Sequence, residues 1–300
     1  MSRRAETAVP NQKALDALLE LLDLEELEVN IFRGRSPQEN RQRVFGGQVA
    51  GQALVAAVRT VEERVVHSLQ AYFLRPGDPT TPILYEVDRT RDGRSFATRR
   101  VTAIQKGQPI FALSASFQRA EAGLEHQIAM PAAPDPESLP TFEERIEAAL
   151  AASGEAPEPW MRRERPIDVR YAEPVDLVHP RRGEPRQLVW IRAQGRLPAE
   201  PLSLHQCVVA YASDMTLLDT VLLPHGIGWT DRNYMMTSLD HAMWFHRPFR
   251  ADAWLLYAQE SPVATGARGL TTGRLFTREG DLVVSVVQEG LIRALTAPQA

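Results

Sequence analysis

The apolar residues of this chain change spacing several times, and each change marks an element. Leu15, Leu18, Leu19 and Leu22 recur at helical intervals behind Asn11, a residue type that caps helix N-termini. Glu28 to Phe32 then alternates polar with apolar, as a short strand does. From Val44 through Gly46-Gly47-Gln48 and Gly51-Gln52 to Val61 there is no proline, and the segment reads as a helix. Glycine inside a helix costs about 1 kcal/mol relative to alanine, so these glycines imply that a second backbone comes very close. Four strand-like segments follow, near 66–74, 82–91, 95–105 and 109–118, with turns at Gly77-Asp78, Asp92-Gly93 and Lys106-Gly107.

Residues 119–166 break the pattern, with seven prolines between Pro131 and Pro166 around a short charged helix candidate from Phe142 to Ala152. Such a stretch reads as a linker crossing a surface. The pattern then restarts. Gln187 to Ala193 is a strand candidate, and Ser203-Leu204-His205-Gln206 has the form of a capping box opening a helix that runs to about Leu222. Strands are expected near 237–247, 253–261, 265–277 and 281–293. Local sequence repeats too. Tyr72-Phe73-Leu74-Arg75-Pro76 and Tyr85 return as Trp244-Phe245-His246-Arg247-Pro248 and Tyr257, each displaced by 172 positions. A repeat this long implies a duplicated unit burying a shared surface. The fold expected is α+β, with a long helix wrapped by a curved antiparallel sheet in each unit, the arrangement of a double hotdog. The units expected are an N-terminal hotdog over 1–118, a proline-rich linker over 119–166 and a C-terminal hotdog over 167–300.

Composition narrows the function without choosing it. A net charge of -4 with no basic run gives no reason to expect nucleic acid. All but two of the 34 basic residues are arginines, suited to bidentate contact with phosphates. The one cysteine, Cys207, lies in the apolar run Cys207-Val208-Val209-Ala210 and is expected to pack in the core. The start, Met1-Ser2-Arg3-Arg4, carries no apolar signal core, and the end, Pro298-Gln299-Ala300, is not a Ser-Lys-Leu type address, so the cytoplasm is expected.

The second unit adds polar residues in apolar surroundings. Asp214 reads as a residue of the third turn of the second helix, among Ala210, Tyr211, Leu217 and Leu218. A carboxylate so placed needs hydrogen-bond donors or has a raised pKa, as a general base does, although the residue taken alone fits a helix aspartate bonded to nearby backbone or an Arg side chain better. Asp219 has a similar claim nearer the helix end. Alternation puts Ser238 and Asp240 on one face of a strand and Thr237, Leu239 and His241 on the other. Gln288 interrupts the apolar strand Val283-Val284-Ser285-Val286-Val287, where a buried amide needs partners. Together Asp214, Ser238 and Gln288 supply a carboxylate, a hydroxyl and an amide, the parts needed to hold and polarise one water. His241 and His246 are five apart on one strand, so they face opposite ways and share no metal. There is no Gly-x-Ser-x-Gly elbow, P-loop or Gly-x-Gly-x-x-Gly.

The blocks Val44-Phe45-Gly46-Gly47-Gln48-Val49-Ala50-Gly51-Gln52, Tyr72-Phe73-Leu74-Arg75-Pro76-Gly77-Asp78, Tyr211-Ala212-Ser213-Asp214, Ser238-Leu239-Asp240-His241-Ala242-Met243-Trp244-Phe245-His246-Arg247-Pro248 and Val287-Gln288-Glu289-Gly290 resemble the acyl-CoA thioesterase II family, the TesB-like double hotdogs. The resemblance runs from about residue 15 to 293. It implies hydrolysis of fatty acyl-CoA to free fatty acid and CoA by a water activated by Asp214, Ser238 and Gln288, without cofactor or metal. Many bacterial members have Thr where Ser238 stands; the hydroxyl is kept. The acyl chain would lie between helix and sheet. Gln48 is expected at the helix position of Asp214 in the first unit, which leaves one active site per chain, built mainly from the second unit. Alternatives are a hotdog enoyl-CoA hydratase and a non-catalytic acyl-CoA-binding protein; Gly77-Asp78-Pro79 lacks the Asn and His of the hydratase segment. A homo-oligomer is expected through exposed sheet edges.

Overall fold

The computed structural model describes residues 11–37, 42–229 and 231–295; the terminal residues that bear on targeting lie outside them. Helix α1 (Gln12–Leu22), capped by the Asn11 side chain at Ala14 N, leads into a hairpin of β1 (Glu25–Glu28) and β2 (Ile31–Gly34). The strand expected over 28–32 is thus the turn of that hairpin, because Asn30 adopts a positive φ of 62°. Next come α2 (Gly46–Val58), β3 (Val65–Phe73), β4 (Ile83–Asp92), β5 (Phe96–Gln105) and β6 (Gln108–Gln118). After α3 (Phe142–Ser153), which carries its own capping box at Thr141 and Glu144, the chain forms β7 (Ile167–Tyr171), β8 (Arg186–Ala193), α4 (Leu202–Ser213) and the short α5 (Asp219–Leu222). It closes with β9 (Tyr234–Ser238), β10 (Asp240–Phe245), β11 (Leu255–Thr265), β12 (Arg268–Thr277) and β13 (Leu282–Ala294).

All strands belong to one antiparallel sheet, ordered β1-β2-β4-β5-β6-β3-β10-β13-β12-β11-β8-β7, with β9 also paired to β13. The halves join where β3 pairs with β10, Ala71 opposite His241 and Ser68 opposite Trp244. The sheet curls around α2 and α4, which run antiparallel in contact. A Cβ on Gly47 would lie 2.3 Å from the Tyr211 carbonyl oxygen, and one on Gly51 would lie 3.4 Å from that of Cys207. Those are successive turns of both helices, so the glycines let the backbones meet as their spacing implies. In α2, ten of 13 residues are buried, and the core continues through Leu54, Tyr85, Phe111, Phe117, Val208, Leu217 and Val284. Cys207 is part of this core.

The 119–140 stretch straps the outer face of the second half's sheet. Met130, Ala133 and Leu139 pack on Trp190, Trp254, Leu256 and Phe276. The Trp190 indole N–H donates to Pro134 O and that of Trp254 to Glu137, at 2.9 Å each, which satisfies the polar end of both buried rings. The same cover explains β7, whose residues are buried on both faces and give no alternation to read.

Two helix expectations change. Pro201 is the N-cap of α4 and the Ser203–Gln206 box does not form, because the Gln206 amide donates to Val66 O while the Glu200 carboxylate accepts from Leu202 N. The helix ends at Ser213 instead of running to Leu222. Tyr257 donates its hydroxyl to Ser213 O at 3.2 Å, and the turn beyond is tied by Thr216 to Gln187 and Gln259.

Candidate active site

Ending α4 at Ser213 makes Asp214 its C-cap residue, at the edge of the helix pair instead of inside a turn. Because α2 runs the other way, its N-terminus lies against this end. A Cβ on Gly46 would meet an Asp214 carboxylate oxygen at 2.6 Å, and the Gly47 N–H donates to that carboxylate. The residue is partly buried.

Two strands deliver the other groups. Ser238 pairs with Gly290 on β9 but Ala242 pairs with Val287 on β10, so four steps on one strand face three on β13. This one-residue bulge at Leu239 re-aims the chain. Ser238 and His241, three residues apart, both point inward to the end of α4, and Asp240 instead accepts from Glu289 N at 2.8 Å. The face shared by Ser238 and Asp240 in strict alternation is therefore not formed. Gln288, opposite the bulge and fully buried, donates its side-chain N–H to Asp214 Oδ1 at 2.6 Å and to Ser238 Oγ at 2.8 Å. Ser238 Oγ donates to the same Oδ1 at 3.3 Å. Facing a carboxylate fixes the Gln288 amide nitrogen toward Asp214 and leaves Oε1 with no partner among the described residues. The structure thus brings Asp214, Ser238 and Gln288 into one hydrogen-bonded cluster, and Ser238 supplies its hydroxyl.

Burial raises the Asp214 pKa to about 6, against the opposing pull of hydrogen bonds from Gln288, Gly47 and Ser238. Beside it, desolvation holds the His241 imidazole down at about 4, so it is neutral. Ser213 Oγ donates to Ala210 O and accepts from His241 Nε2 at 2.8 Å, which makes His241 a brace for the end of α4. His246 faces away and meets Ser285 Oγ at 2.9 Å. Gln48 is not the counterpart of Asp214. It lies at the opposite end of its helix and holds Arg35 O and Ser36 Oγ. The Asp214 cluster draws on both halves, since the Gly47 N–H comes from the first. Arg75 and Arg247, which precede equivalent prolines, each donate to a backbone carbonyl at the start of a neighbouring strand, Pro109 O and Leu282 O.

Sequence reasoning missed the Gly47 N–H as a donor, the His241–Ser213 brace and the Thr216 tether. The Gly46-Gly47 pair was the available signal, read as close approach without a partner for it.

Comparison with known proteins identifies the family. A family model described as acyl-CoA thioesterase matches residues 162–291, and one described as acyl-CoA thioesterase N-terminal domain matches 35–118. Human acyl-coenzyme A thioesterase 8 is 47% identical over 288 residues, covering 91% of this chain and 88% of that protein. Acyl-CoA thioesterase 2 of Haemophilus influenzae is 40% identical, covering 93% and 98%. The crystal structure of acyl-CoA thioesterase II TesB2 from Mycobacterium marinum superposes with a TM-score of 0.76 at 48% identity over 95% of this chain and 100% of that one. A protein from Alicyclobacillus acidocaldarius described as having a hot dog fold, 20% identical, matches with a TM-score of 0.74 over 93% and 99% and speaks for the fold alone. With relatives this similar over nearly its whole length, the chain belongs to the acyl-CoA thioesterase II family and has a hotdog-type fold.

Proposed function

We propose that this chain hydrolyses fatty acyl-CoA to free fatty acid and CoA, and that Asp214, Ser238 and Gln288 activate the attacking water. The observation that carries the roles is the setting of Asp214, a carboxylate with its pKa raised to about 6 and three donors fixing it in place. A water bonded to Asp214, which Gln288 and Ser238 hold in place, is oriented with a lone pair toward the thioester carbon. As its C–O bond forms, Asp214 takes the proton; the C–S bond then breaks and the CoA thiolate recovers a proton. No enzyme–acyl bond is required, because a thiolate is a good leaving group. The positive N-terminal end of α2, aimed at the site, favours both the ionised Asp214 and the oxyanion that develops on the carbonyl. Release of free CoA from an acyl-CoA length series, read with a thiol-reactive dye, tests the reading. Asp214→Asn is expected to lower kcat by about 10²–10⁴ with the fold intact. Near wild-type turnover in that folded variant would remove Asp214 from the mechanism.

The duplicated arrangement supports a double hotdog with units at 1–118 and 167–300 joined by the 119–166 strap. In the first half the helix end reads Val58-Arg59-Thr60, with no carboxylate in the place of Asp214, which supports one site per chain. The homo-oligomer expected from the sequence needs a different surface, since edge β1 carries three exposed glutamates and β7 is buried. The outer face of the first half's sheet, where Tyr72 is 62% and Leu84 39% exposed, is the better candidate; a single-chain mass by light scattering would overturn it. The cytoplasm is an expectation of the sequence; among the described residues no helix is long and apolar enough to cross a membrane.

A further inference from the structure

A cavity of about 200 Å³ lies beyond Asp214, between the α4–α5 turn and the strands β7 and β8. Its walls are mostly apolar, with Val169, Val175, Leu177, Leu222 and Ile227 among them. Met215 and Thr216, the two residues after Asp214, form the wall nearest the catalytic cluster. The cavity is thus joined to the end of α4 through its Met215–Thr216 wall, although Asp214, Ser238 and Gln288 do not themselves line it.

Several polar groups in this wall are occupied. Gln187 donates to Thr216 O at 3.1 Å and to Gln259 Oε1 at 2.7 Å, and Thr216 Oγ1 accepts from Gln259 at 2.7 Å. Asp176 accepts from the backbone of Val178 and His179. The Arg165 guanidinium lies 3.8 Å over the Phe142 ring. Asp219 also lines the cavity, and its Oδ1 is buried with no hydrogen-bond partner among the described residues. Desolvation, with the charge of Asp214 nearby, pushes its pKa well above the carboxylate range, so a proton is readily held there. A carboxyl group that can both donate and accept suits a hydroxyl, whereas a plain methylene chain leaves it unsatisfied.

We propose that this cavity receives the acyl chain and that Asp219 selects chains carrying a hydroxyl well away from the thioester. The inference rests on the acyl-CoA reading of the same site and names its substrate class. Binding energy from a polar group satisfied by one substrate and left unpaired by another is the usual source of such discrimination.

The test compares eight-carbon acyl-CoAs, plain or with a single hydroxyl moved along the chain, on the wild-type protein, Asp219→Leu and Asp219→Asn. One distal isomer is expected to exceed the plain chain about tenfold in kcat/KM. Asp219→Leu should remove that ratio by improving the plain chain, while Asp219→Asn keeps part of it. Leu222→Trp, which fills the cavity, should weaken turnover of eight-carbon chains and leave that of acetyl-CoA unchanged. Calorimetric binding of the corresponding free acids gives a readout independent of turnover. If acyl-CoAs are hydrolysed but no distal isomer is preferred, or the ratio survives Asp219→Leu, Asp219 has no such role. If no acyl-CoA is hydrolysed by folded protein, the proposed function fails, and hydroxylated acids binding no tighter than plain ones would then overturn the cavity assignment as well.

Discussion

At the scale of single residues, function and stability pull in opposite directions on Asp214. A general base must be ionised, so kcat is expected to rise with pH through about 6 and level off above it. Hydrogen bonding from Gln288 lowers the Asp214 pKa, so in Gln288→Leu the acid limb of the profile should move to higher pH; an unmoved limb would mean that another group titrates. The same shift costs stability. The folded carboxyl, at about 6, binds a proton more tightly than an unfolded aspartate at 3.8, so the contribution is full below 3.8 and lost as pH rises through 6. The loss is on the order of 2–3 kcal/mol, reduced by partial exposure. Asp214→Asn should therefore gain in Tm over the wild type as pH rises from about 4 to 6 and hold that gain above it, and a constant difference from pH 4 to 6 would contradict the buried-base picture. Asp214 and Gln288 could be picked out in the sequence because each interrupts apolar surroundings, whereas Ser238, between Thr237 and Asp240, was marked mainly by the family resemblance. The Gly47 N–H could not, since a backbone donor leaves no mark on residue type.

At the scale of elements, the site depends on where α4 stops and how closely α2 approaches. Periodicity alone carried the helix on to Leu222, because the apolar residues after Asp214 keep a helical spacing in the sequence. What ends it is tertiary: the Tyr257 hydroxyl on Ser213 O and the buried amides of Gln187 and Gln259 around Thr216. Likewise the bulge at Leu239 is invisible to strict alternation, which misassigned the faces of Ser238 and Asp240. The close approach of the helices was legible, because glycines at 47 and 51 have no other purpose in a buried helix. Gly47→Ala tests that approach, since its Cβ would press on the Tyr211 backbone carbonyl at 2.3 Å, a clash that moving the neighbouring Phe45 ring does not relieve. Overpacking of this kind costs about 1–3 kcal/mol, and a Tm lowered by several degrees together with weaker turnover is expected. An unchanged Tm would show that the helices part without penalty.

For the whole molecule, the internal repeat predicts two units, but not which strands would meet. The β3–β10 pairing makes one sheet of them, and α2 packs on α4 along the same seam. Pulling the halves apart would expose two strand edges and the small-residue faces of two helices that are buried almost all round, and would take the Gly47 N–H away from Asp214. The strap adds a third tie, since it leaves the first half after β6 and covers Trp190 and Trp254 on the second. Neither half has an apolar surface complete without the other, so cooperativity should span the chain. The intact protein is expected to unfold in a single calorimetric transition whose van't Hoff and calorimetric enthalpies agree, with loss of CoA release following the same curve. Two resolved transitions, or activity that outlasts the unfolding of the first half, would mean that the seam is a docking contact between independent domains and that the Asp214 cluster stands without the N-terminus of α2.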